Sequence, residues 1–211
     1  MKLIRLMTVM ALALAPALRA ADEASALAVL DAKDSTLHAK AMACDELGRV
    51  GTSKSVPVLA KLLADEKLHD YARDGLERIK DPAAGKALLA SLATLEGSLR
   101  IGVIITLGDR GDEAAVPELA KIAMAEGKDA PVAAAALDSL AQIASDAAGE
   151  AILKTLSGGA AEAKKLAAHA ALTAAQRMEK DGRKEAAAKF RQAAADAGVP
   201  AAAKKPTGKS S

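Results

Sequence analysis

Three histidines, one cysteine and a recurring lysine are the side chains of this 211-residue chain best suited to catalysis, metal binding or recognition. Metal sites need imidazole, thiolate or carboxylate ligands brought together by close spacings such as His-Glu dipeptides or His-x3-His pairs. His38, His69 and His169 form none of these patterns, so no metal or cofactor site is expected. His38 and His69 each follow a leucine near the start of an expected helix, the setting of a capped or solvated surface histidine. Cys44 stands next to Ala43 and three residues before Leu47, on or beside an apolar helical stripe, and no histidine lies at a helical spacing that would activate it. It reads as a small buried hydrophobe. Being the only cysteine, it also excludes an intramolecular disulfide.

The lysines follow a register. Lys61, Lys121 and Lys154 each stand two residues after an apolar position, Leu59, Leu119 and Ile152, whose fourth counterpart, Leu88, is followed by Ala90. If these positions share a height on stacked helices, the three ammonium groups form a shallow basic ridge facing an acidic partner. The solvated side of an ordinary amphipathic helix is equally rich in lysine.

The elements behind this register show when the chain is laid over itself with a shift of 60 residues. Leu47-Gly48 falls on Leu107-Gly108, Gly51 on Gly111, Val56-Pro57 on Val116-Pro117, Leu59 on Leu119 and Leu62 on Ile122. With gaps allowed, four units appear. Leu47 and Val50 match Leu76 and Ile79, then Leu140 and Ile143, while the third unit pairs Leu107 with Arg110. Second helices align on Leu59, Leu88, Leu119 and Ile152, at steps of 29, 31 and 33 residues. A unit of about thirty residues cannot bury its own apolar face and must stack on its neighbours. Turns are expected around Gly48 to Ser53, Lys80 to Pro82, Gly108 to Asp112 and Ala144 to Asp146. There glycine should take the left-handed helix end, Ser or Asp should cap the next helix, and Pro57 and Pro117 should sit in its first turn. Helix formers dominate and strand signals are missing, so the expected fold class is all-α.

The ends differ in composition. Residues 1–20 carry Lys2 and Arg5, an apolar run from Leu6 to Leu18 too short to span a bilayer, and small residues up to Ala21. That layout predicts a signal peptide and a periplasmic or secreted protein. Without Lys2, Arg5 and Arg19 the formal charge falls from +2 to −1. Residues 177–211 hold nine Lys or Arg against four Asp or Glu, so residues 21–176 sum to −6. An acidic body argues against a nucleic-acid binder, which needs a basic stripe. Residues 21–34 read as an N-terminal capping helix, 35–159 as repeats, 160–199 as a helical hairpin cap and 200–211 as a disordered basic tail. That tail is a candidate for contact with an anionic envelope surface.

Ala-x3-Leu-Gly-x2-Gly followed by Val-Pro-x-Leu-x2-Leu/Ile, at Ala43 to Leu62 and again at Leu107 to Ile122, resembles the short HEAT-like repeat of the phycobilin-lyase type. The hairpin around Ala186, Phe190 and Ala193 is similar to the second helix of a tetratricopeptide unit. The resemblance implies a right-handed α-solenoid of about four HEAT-like hairpins whose second helices line the inner curve. It leaves activity open, because such repeats serve lyases, an iron hydroxylase, repair enzymes and scaffolds. Tyr71 and Phe190 are the only aromatics, too few to stack bases, sugars or a bilin. The expected function is therefore non-enzymatic: a monomeric scaffold or adaptor of the cell envelope that binds another protein on the curved face. The alternative is an accessory or lyase-like subunit that holds a small molecule or cofactor within the curve.

Overall fold

The computed structural model describes residues 20–125 and 129–199. The expected signal peptide and basic tail lie outside the described residues, the first apart from residue 20. Among the described residues there is no strand, and the chain is all-α. No described helix is long and apolar enough to cross a membrane.

Residues 20–31 form α1. It is followed by α2 (Leu37–Val50), α3 (Val56–Leu62), α4 (His69–Arg78), α5 (Pro82–Ser91) and α6 (Gly97–Arg110). A 3-10 turn at Glu113–Ala115 leads into α7 (Val116–Met124), then α8 (Ala130–Ile143), α9 (Asp146–Gly158), α10 (Ala161–Lys180) and α11 (Lys184–Asp196). Side chains that accept the orphan amides of a first turn set several starts. Thr36 Oγ1 accepts from the Ala39 amide at 3.1 Å, Asp81 Oδ1 from Ala83 at 2.8 Å and Ser145 Oγ from Ala148 at 3.1 Å. Pro57, Pro82, Pro117 and Pro131 all sit in first turns, where a missing amide costs no bond.

Helix ends depart from the expected glycine pattern. Gly48 and Gly108 lie inside α2 and α6, and Gly51 is extended, at φ −62° and ψ 148°. Left-handed backbone closes α6 at Gly111, φ 67°, and closes α8 at Ala144, φ 52°. Gly48 serves close approach instead: a Cβ there would lie 2.7 Å from Arg78 Nε, so the glycine makes room for a guanidinium crossing from α4.

The chain divides into two compact units between Arg110 and Gly111. The division separates α6 from α7, the two helices of the third sequence unit. In the first unit α2 packs on α4 and α4 on α6, while α3 packs on α5. Its core includes Leu47, Leu59, Leu76, Leu88 and Leu107, each with no solvent exposure. In the second unit α8 packs on α7, α9 and α10, and α11 closes on α10. Leu119, Leu140 and Ile152 are equally buried there, beside six fully buried alanines of α10. Each large side chain so buried contributes about 1.5–3 kcal/mol.

Arg110, the residue that breaks the aliphatic register of the third unit, binds backbone rather than filling core. Its Nη1 donates to the carbonyls of Leu76, Glu77 and Ile79 at 2.7, 2.8 and 2.7 Å. Those are the unpaired acceptors at the C-terminal end of α4, where a cation is also favoured by the helix dipole. Arg110→Ala should lower stability by about 1–2 kcal/mol in urea unfolding, and Arg110→Lys should recover only part of that loss.

Candidate partner-binding surface

Each lysine of the expected ridge lies on a second helix and faces solvent. Lys61 stands in the last turn of α3, Lys121 in the last turn of α7 and Lys154 on α9, all exposed. The side chain of Lys121 is 78% exposed, with its Nζ 3.5 Å from Glu118 Oε2 one turn back. Helices α7 and α9 pack against each other, so Lys121 and Lys154 stand on adjacent second helices of one unit. Lys61 belongs to the other unit, where the corresponding residue of α5 is the exposed Ala90. All four aligned apolar residues, Leu59, Leu88, Leu119 and Ile152, are fully buried, which turns the position two residues on toward water.

Lys61 borders a shallow groove formed by Val58 and Leu62 of α3 and by Leu27, Leu30 and Asp31 of α1. The shape of that groove depends on how α1 is held. Leu27, Val29 and Leu30, the large apolar residues of this helix, are only half-buried. A carboxylate does the tying. Glu23, 5% exposed, accepts from the Thr52 amide at 2.7 Å, Thr52 Oγ1 at 2.9 Å and Ser55 Oγ at 2.6 Å. Ser55 precedes α3 without capping it, because its hydroxyl is turned to Glu23.

The residues with chemical potential are dispersed. Cys44 has no solvent exposure, and burial, helped by the charge of Asp65, pushes its thiol up to about 11, so almost no thiolate forms near neutrality. His69 Nδ1 lies 3.2 Å from Asp70 Oδ1, and His169 Nδ1 lies 2.8 Å from the Lys165 carbonyl. His38 is exposed in the first turn of α2. Among the described residues no three His, Cys, Asp or Glu side chains gather as metal ligands would. A cavity of about 180 Å³ lies between the end of α7 and the starts of α8 and α10, lined by Met124, Ala133 and Leu166 with Asp129 and Glu162. Ligand pockets usually offer about 300–1,000 Å³ with aromatic lining, and this one has neither.

The sequence matches no protein-family model and no curated protein.

Two features have no counterpart in the sequence pattern. Glu23 lies 29 and 32 residues from its partners, with no local motif to announce it. Among the described residues the exposed large apolar side chains, Leu37, Met42, Tyr71 and Ile105, all stand on α2, α4 and α6 and none on a second helix.

Burial raises the Glu23 carboxyl, but the hydrogen bonds from Ser55 and Thr52 and the charge of Lys54 outweigh it, so its pKa sits below the ordinary value. A depressed folded-state pKa stabilises the fold above the unfolded value of about 4.3 and loses that contribution as pH falls through the folded one. Glu23→Gln should therefore unfold more easily than wild type at pH 7, by about 1–3 kcal/mol. The two urea midpoints should converge as the pH is lowered through and below about 4.

Proposed function

We propose that this protein is a non-enzymatic, exported scaffold whose helical pairs form a HEAT-like solenoid and bind a partner protein through the second-helix surface. The right-handed solenoid of four hairpins belongs to this proposal, as do the repeat resemblance and the envelope location. One observation carries the reading. At four successive second helices the aligned apolar residue has no exposure while the residue two positions on is exposed, and three of those four are lysines. Lys121 and Lys154 stand on packed helices of one unit and Lys61 on the matching helix position of the other, and exposed ammonium groups of this kind favour an acidic partner and speed its capture.

The test is capture of partners from envelope extract on immobilised protein, quantified by mass spectrometry. An acidic protein should be enriched by wild type and reduced about tenfold or more by Lys61→Glu, Lys121→Glu and Lys154→Glu combined, with Lys33→Glu, Lys80→Glu and Lys180→Glu combined as the charge-matched control. The same partner retained at equal yield by the triple variant contradicts the reading. So would recovery of the purified protein with a bound chromophore or metal.

A further inference from the structure

Exposed apolar side chains are common singly and need no explanation unless they align. Three of them align here. Taking Leu47, Leu76 and Leu107 as equivalent, Met42 on α2 and Tyr71 on α4 both stand five residues earlier, with 51% and 48% exposure. On α6 the exposed residue is Ile105, at 44%, one helical turn further along. The position equivalent to Tyr71 is Gly102, whose missing side chain leaves room for Arg73, with Cδ and Nε both 3.3 Å from where a Cβ would stand.

Helix α4 packs on both α2 and α6, so the three residues form a row across adjacent helices. Packed helices stand about 8–10 Å apart, and the one-turn offset on α6 lengthens the second step slightly. Seven residues of α-helix rise about 10.5 Å. A helix laid across the row therefore meets it with every seventh residue.

The charges around the row have a direction. Arg73 is pulled inward: Nη1 donates to the buried Thr106 Oγ1 at 2.9 Å, and its side chain is 23% exposed. The carboxylates beside it, Asp70 and Asp74, each 3.3 Å from Arg73 Nη2, remain 67% and 55% exposed. On α2 and α4, Arg78 turns toward the Gly48 notch while bound to Asp45 at 2.7 Å. Beside Tyr71 the cation is thus drawn inward and the two carboxylates face outward, whereas on α2 Arg49 stays 58% exposed next to Asp45 and Glu46.

We propose that the first-helix face of α2, α4 and α6 docks a basic amphipathic helix of a partner protein, its apolar residues at seven-residue intervals on Met42, Tyr71 and Ile105 and its Lys or Arg on Asp70 and Asp74. This surface lies on other helices than the lysines, so either site stands or falls without the other.

The probes are three labelled helical peptides of about twenty residues. The first carries leucine at every seventh position among lysines, arginines and alanines; the second has the same composition with leucine at every fifth; the third replaces the cations with glutamate. Fluorescence anisotropy with the full chain should show saturable binding of the first peptide. Binding of the other two should be weaker by about tenfold or more. Tyr71→Ser should weaken the first peptide by about tenfold, with Met42→Ser and Ile105→Ser acting in the same direction. Lys61→Glu should leave it unchanged, and circular dichroism should confirm that each variant folds. Equal binding of the first two peptides, or indifference to Tyr71→Ser, overturns the proposal. So does self-association seen by light scattering and abolished by Tyr71→Ser, because the face would then belong to a second copy.

Discussion

Hairpins this short have too little apolar surface to close on themselves, and this chain is almost without aromatics to enlarge them. The interior must be shared. Leucines at one register of successive helices are driven to zero exposure only because the next helix covers them. Small residues make that cover close: a Cβ on Gly75 would lie 2.9 Å from the Cys44 carbonyl, and one on Gly149 would lie 2.8 Å from Phe190 Cζ. Within each unit, the position of every exposed side chain follows from that packing, including the lysines and the apolar row.

The packing positions were largely legible in the sequence. Leu47, Leu59, Leu76, Leu88, Leu107, Leu119, Leu140 and Ile152 were picked out by repetition alone, and all eight are fully buried. Local chemistry was legible too, in the caps of Asp81 and Ser145 and the first-turn prolines. What stayed hidden was long-range and polar. Arg110 looked like a defect in an aliphatic column, yet it serves the carbonyls of a helix more than thirty residues earlier. Gly48 looked like a helix stop and is instead the floor beneath a guanidinium, because the residue that needs its space lies on another helix. Glu23 carries no mark in the sequence, and its partners Thr52 and Ser55 lie 29 and 32 residues away. No periodicity distinguishes a carboxylate that finds three donors from one that finds water.

The same division applies to the candidate sites. Lys61, Lys121 and Lys154 could be read from spacing because their register is tied to buried neighbours on the same helix. Met42, Tyr71 and Ile105 could not, since their alignment exists only once α2, α4 and α6 stand side by side. The two surfaces are of opposite character, ammonium groups on second helices and an apolar row rimmed by carboxylates on first helices.

The shared interior is open to direct test by hydrogen exchange read by mass spectrometry on the full chain, wild type against Leu76→Ala. The truncation removes a fully buried side chain between α2 and α6 and should cost about 2–5 kcal/mol. If neighbouring pairs stand on one interior, amides of α2 and α6 should lose protection together with those of α4 and α5. Loss confined to α4 and α5, with α2 and α6 exchanging as in wild type, would show that each pair holds itself together and would contradict this account.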